Sequence, residues 1–198
     1  MIRSIVIASG NAGKVREIRR ALADLGADLV VREDLPEVVE DGATFAENAR
    51  KKAVAVARFS GLWALADDSG LEVDALGGAP GVRSARWSGQ GAEGNNARLL
   101  AELAGVPADA RTARFRAVVT VAAPDGTLVA EAEGSCEGRI GFELRGSGGF
   151  GYDPLFVVPE LGRTLAELGP DEKNSVSHRG KALRELRGPL TRALACII

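Results

Sequence analysis

Apolar and polar positions recur along this chain with two different periods, and the switches between them outline its elements. RSIVIA (Arg3 to Ala8) and ADLVV (Ala27 to Val31) have the length of short buried strands. VREIRRALADL (Val15 to Leu25) instead repeats its apolar positions at helical spacing and predicts an amphipathic helix. Thr44 followed by Glu47 has the spacing of a capping box and opens a helix over Phe45 to Phe59. LWALA (Leu62 to Ala66) reads as another buried strand, ending in Asp67-Asp68-Ser69-Gly70. Periodicity stops from Gly77 to Gly94, where glycines around Pro80 predict a long ordered loop before a helix over Asn96 to Leu103. Alternation resumes from Thr112 to Cys136 about a Pro124-Asp125-Gly126 turn, the pattern of a long antiparallel hairpin. A Gly-rich loop through Phe150, a strand Leu155 to Val158 and one or two helices between Ser177 and Ala195 complete the chain.

Strand-helix units followed by an antiparallel hairpin predict an α/β fold: an elongated, mixed, twisted sheet with flanking helices, and loops enough for two lobes around an active-site cleft. A chain of 198 residues can form a single domain over 1–198 whose core needs no disulfide staples. Cys136 and Cys196 lie far apart with no metal-ligand spacing, so both are expected as reduced thiols. The start MIRSIVIASG has an apolar run too short for a bilayer and no cleavage signature, which predicts neither a signal peptide nor a membrane partner, and a cytoplasmic location. A net charge of -2, a pI near 5.6 and scattered Lys and Arg argue against a nucleic-acid face. A polyanionic substrate would therefore need locally concentrated positive charge.

Four stretches carry candidate chemistry. SGNAGK (Ser9 to Lys14) joins the first strand to the first helix, where free N–H groups and the helix dipole favour an anion. Its glycines match neither the G-x-x-x-x-G-K-[ST] loop nor the dinucleotide fingerprint, and a tight turn capped by Asn11 is the plain alternative. Asp67 and Asp68 point to opposite sides of an extended segment, so one of them, with a carboxylate of the acidic loop Glu37 to Asp41, can hold Mg²⁺; a solvated turn is the alternative. DEKNSVSHRGKAL places Lys173, the sole histidine His178 and Arg179 before a helix that Ser177 caps, where basic residues oppose the dipole unless an acceptor ligand is bound. GFGYDPLF sets Phe150 and Tyr152 about Gly151, a flat surface for a base or, more plainly, a turn anchor.

With SGNAGK, the acidic loop before TFAENARKKA, ADDSGLEVDALGGAPGVRSARW, GGFGYDPLF and EKNSVSHRGKAL in this order, the sequence resembles the inosine/xanthosine triphosphate pyrophosphatase family over nearly its whole length. The resemblance implies a homodimeric hydrolase that cuts ITP, dITP, XTP and dXTP to the monophosphate and pyrophosphate with Mg²⁺. It implies that Ser9, Gly10, Asn11, Ala12, Gly13 and Lys14 form the triphosphate loop and that Lys52 is a second phosphate contact. Glu40 and Asp68 match the metal ligands, with Asp68 also the general base and Lys14 aiding catalysis; Ser69 matches a substrate contact. Phe150, Gly151, Tyr152 and Asp153 resemble the base loop, and Lys173, His178 and Arg179 the residues that read the purine 6-keto edge. A pyrophosphatase of related fold acting on pyrimidine triphosphates, and a sensor that binds nucleotide without cutting it, are the competing readings.

Overall fold

The computed structural model describes residues 3–196, so Met1 and Ile2 of the MIRSIVIASG start lie outside it. β1 (Arg3–Ile7) runs parallel to both β2 (Ala27–Val30) and β3 (Trp63–Val73), with Ile5 opposite Leu29 on one side and Trp63 on the other. The sheet has seven strands in the order β2-β1-β3-β4-β5-β6-β7, where β4 is Thr112–Ala122, β5 Leu128–Ile140, β6 Phe156–Val158 and β7 Arg163–Thr164. β6 is antiparallel to β5 and to β7, so the sheet is mixed, as the two hydrophobic periods require.

The continuous apolar run of β1 reflects cover on both faces. Ile5 and Ile7 pack with Ile18 and Leu22, from α1 (Ala12–Ala21) and the residue after it, and with Leu183, Leu186 and Leu190 of α5 (His178–Ala195). Val6 and Ala8 face the other way, onto Ala53, Val56 and Ala57 of α2 (Phe45–Ser60) and Ala64 and Ala66 of β3. Each fully buried Ile or Leu there contributes about 1.5–3 kcal/mol. A second cluster gathers Leu71, Val73, Phe115, Ile140, Phe156 and Leu165 around Leu99 and Leu103. Contacts divide the described residues into two compact units. One holds those up to Asp68, Ala117–Gly134 and those from Arg179 on; the other holds Ser69–Arg116 and Ser135–His178. Neither unit is a continuous stretch of chain.

Several boundaries depart from the hydrophobic pattern. α1 begins at Ala12 rather than Val15, because Asn11 caps it with a side-chain oxygen that accepts the Lys14 N–H at 3.1 Å. β3 runs for 11 residues to Val73, so Asp67-Asp68-Ser69-Gly70 lies in mid-strand and not at its end; carboxylates broke the apolar pattern without breaking the backbone ladder. The span expected as loop contains a helical turn at Gly81–Arg86, preceded by another at Asp74–Leu76, and α3 starts inside it at Gly91 (Gly91–Glu102). The β4–β5 turn is closed by the Ala123 N–H donating to the Thr127 carbonyl at 2.9 Å, and β5 continues past Cys136 to Ile140. Two helices end the chain: α4 (Pro170–Val176), with proline in its first turn, and α5, which includes Pro189.

Candidate active site

The SGNAGK turn is built by its own side chains. Ser9 Oγ accepts the Asn11 N–H at 3.2 Å, and the Ala8 N–H donates to the Leu65 carbonyl of β3 at 2.8 Å. A side chain at Gly10 would meet no atom within 4 Å, so the turn faces open space there, whereas Gly13 is buried against the fold. The first turn of α1 holds no acidic residue, leaving its free N–H groups and positive dipole end uncompensated by the helix itself. Asn11 therefore caps the helix, as the plain alternative had it, and the uncompensated helix start is what an anion at this turn would meet.

The two aspartates of β3 have opposite environments, as alternation in a strand requires. Asp67 is fully buried; Arg179 donates to it through Nε at 3.0 Å and Nη2 at 3.1 Å, and Lys14 Nζ approaches at 2.6 Å. Burial would raise its pKa, but the Arg179 and Lys14 charges outweigh burial and hold the carboxyl far below the usual range. Arg179 also donates to Glu17 of α1 at 2.6 Å. Glu17, Arg179, Asp67 and Lys14 thus form a chain of alternating sign. The cost of a basic residue opening α5 is offset by carboxylates of the protein itself, Asp67 and Glu17, beside which the structure places Arg179.

Asp68 is 6% exposed, and its Oδ2 is buried with no hydrogen-bond partner. Burial pushes its pKa up, with Glu40 adding to the rise, against the opposing influence of Lys14, Asn48 and Lys52. Of the acidic-loop residues weighed for a metal, Glu37 and Asp41 are exposed, while Glu40 is half-buried, pairs with Lys52 and acts on Asp68. Lys52 Nζ also donates to the Asp67 carbonyl at 3.3 Å. Among the described residues no three His, Cys, Asp or Glu side chains converge as a ready-made metal cage. A buried carboxylate oxygen without a partner, beside a second carboxylate, does fit a cation such as Mg²⁺, which takes one or two carboxylates and completes its shell with water and phosphate.

The other unit holds the remaining candidates. Gly149 has φ +70°, and a side chain there would come within 2.2 Å of Asp153 Oδ2. That tight turn lets Asp153 accept the Phe150 N–H at 2.7 Å and Lys173 Nζ at 2.6 Å. Lys173 is buried and lies 4.6 Å from the centre of the Phe150 ring. Tyr152 departs from the expected stacking surface: it is buried, and its hydroxyl donates to the Ser84 carbonyl at 2.9 Å, so it anchors the loop, while Phe150 is half-buried. Asn96 of α3 donates to the Gly151 carbonyl at 3.0 Å. His178 is buried and stacks on Phe115 with ring centres 4.7 Å apart. Ser69, next to Asp68 in the chain, is half-buried.

Sequence reading missed the supporting residues Glu17, Asn48, Asn96 and Phe115. Glu17 was legible in one respect, since it stands one helical turn after Lys14 on α1. Its partner Arg179 lies 162 positions away, a separation no local pattern encodes.

The Ham1 family model matches residues 5–188. A protein of Desulforamulus reducens named dITP/XTP pyrophosphatase is 56% identical over 193 residues, covering 95% of this chain and 96% of its own. The solved structure of a HAM1 protein from Coxiella burnetii superposes with a TM-score of 0.86 at 41% identity, covering 96% of this chain and 100% of that one. A nucleoside-triphosphatase / dITP/XTP pyrophosphatase from Mycobacterium abscessus gives a TM-score of 0.73 at 45% identity, with 92% and 97% covered.

Proposed function

Since the chain belongs to the Ham1 family, we propose that it hydrolyses non-standard purine nucleoside triphosphates (ITP, dITP, XTP and dXTP) to the monophosphate and pyrophosphate. The naming of relatives at 56% and 51% identity as dITP/XTP pyrophosphatases supports this substrate class. The observation that carries the chemistry is the division of labour in β3: Asp67 is neutralised by Lys14 and Arg179, while Asp68 keeps a buried oxygen unpartnered.

Asp68 and Glu40 would hold Mg²⁺. Bound there, the ion would neutralise phosphate charge and promote ionisation of water. The protein's own groups do the rest. The SGNAGK turn and Lys14 position the triphosphate, and Lys52 adds charge beside Glu40. As the water oxygen joins phosphorus at the α–β anhydride, the bridging P–O bond breaks, pyrophosphate leaves, and Asp68 takes the water proton.

Phe150, Lys173 and His178 supply base recognition. A donor that meets O6 of a keto purine meets the amino group of adenine as donor against donor. One such unpaired buried donor costs about 1–3 kcal/mol, roughly 5- to 150-fold in selectivity. The whole chain acts as one catalytic domain, and family resemblance supports a homodimer as its working form. Among the described residues no helix is long and apolar enough to cross a membrane.

Asp68→Asn tests this reading. Release of pyrophosphate from ITP is expected to fall by about 10²–10⁴-fold while ITP still binds. Turnover at the wild-type rate would overturn the role of Asp68 and the mechanism built on it.

A further inference from the structure

The acidic loop and α2 meet residue by residue. Glu40 pairs with Lys52, and Asp41 with Lys51 at 2.6 Å; the Gly42 N–H donates to Asn48 Oδ1 at 2.8 Å, and the Ala43 N–H donates to Glu47 Oε2 at 2.7 Å. Positions 47, 48, 51 and 52 lie on one face of the helix, so a single element grips the loop as it passes. The rungs differ in burial: the Asp41 and Ala43 rungs are exposed, whereas Asn48 is 1% exposed.

The Gly42 contact settles which way the Asn48 amide points. A backbone N–H requires an acceptor, so the oxygen faces Gly42 and the nitrogen faces away. That nitrogen, Nδ2, is buried with no hydrogen-bond partner. Asp68, on which Asn48 acts directly, likewise has a buried oxygen without one. A buried donor and a buried acceptor left without hydrogen bonds are costly in a folded protein unless the site they serve completes them. There is no slack in the loop to relieve them, since a side chain at Gly42 would fall 2.7 Å from Asn48 Oδ1 and 2.8 Å from Glu47 Cβ.

We propose that Asn48 is a positioning residue for the divalent-cation site: its oxygen holds the loop that carries Glu40, and its open N–H is the donor that steadies the Asp68 carboxylate when the cation site is filled. This rests on the assignment of Asp68 and Glu40 to the metal. Asn48 acts through the two carboxylates, and its loss is felt as metal affinity.

The test uses the full chain and Mn²⁺ as probe, with binding followed by electron paramagnetic resonance and folding by thermal unfolding. Asn48→Ala removes both contacts and is expected to weaken Mn²⁺ binding by about 10–100-fold. Asn48→Asp keeps an acceptor for Gly42 but puts a second negative charge beside Asp68. It is expected to bind Mn²⁺ at least as tightly as the wild type while turning over ITP about tenfold or more slowly, because Asp68 has lost its orienting donor. Tighter metal with slower turnover is not what simple destabilisation produces. Should the alanine variant fail to fold, the aspartate variant decides. Folded variants with wild-type Mn²⁺ affinity and turnover would overturn the inference, provided that Asp68→Asn weakens Mn²⁺ binding in parallel. If Asp68→Asn also binds Mn²⁺ as the wild type does, the metal assignment itself fails and takes this inference with it.

Discussion

Adjacent aspartates in one strand do different work because alternation sends them to different neighbours. Asp67 stabilises the fold: without it, Arg179 and Lys14 would be left as charges with no shared partner, a loss of about 3–5 kcal/mol for a broken buried pair. Because its folded pKa is depressed, that contribution is present above the ordinary aspartate value of 3.8 and is lost as pH falls below it. Asp67→Asn is therefore expected to unfold at a lower temperature than the wild type at about pH 7, with the gap narrowing at about pH 3. Thermal unfolding across that range checks it, and a gap independent of pH would show that Asp67 is not held ionised by its partners. Sequence alone narrowed the pair to one functional carboxylate, since a strand cannot point both the same way. The choice of Asp68 came from family resemblance; the partner that occupies Asp67, Arg179, lies 112 residues away in the chain, where no local pattern reaches.

At the scale of elements, the legible features were those encoded within a few residues. Thr44 accepts the Glu47 N–H as the capping spacing predicts, and the Gly-containing turn after β1 leads into α1. The length of β3 was hidden because Asp67, Asp68 and Ser69 read as a strand end, while their compensating charges come from other elements. The grip of α2 on the acidic loop was also hidden, for it pairs a patternless loop with one helix face. That grip makes Gly42 a sensitive position. Gly42→Ala would force Asn48 or Glu47 aside and is expected to raise the Mg²⁺ concentration for half-maximal turnover several-fold, roughly the lower end of a supporting-residue effect. The Michaelis constant for ITP at saturating Mg²⁺ should stay near the wild-type value. A Mg²⁺ titration that superposes on the wild type would show that the loop tolerates the displacement and that its register does not matter to the metal.

For the whole molecule, the overall charge of -2 and pI near 5.6 conceal a local concentration of cations. Lys14, Lys52 and Arg179 converge on β3 and its neighbours, each matched to a carboxylate or a carbonyl. Lys173 is matched in the same way by Asp153 in the other unit. Such pairing lets an acidic chain keep positive charge where a triphosphate needs it without large exposed basic patches. The class of reaction was legible because five motifs stand in one order along the chain; the commitments of Arg179 and Tyr152 to the protein itself were not. The central claim is best tested by incubating the purified protein and Mg²⁺ separately with ITP, XTP, dTTP, ATP and GTP, identifying products by chromatography and assaying pyrophosphate. IMP or XMP together with pyrophosphate, and little from the other three, is the predicted result. Nucleoside diphosphate with orthophosphate, or faster turnover of dTTP than of ITP, would contradict it.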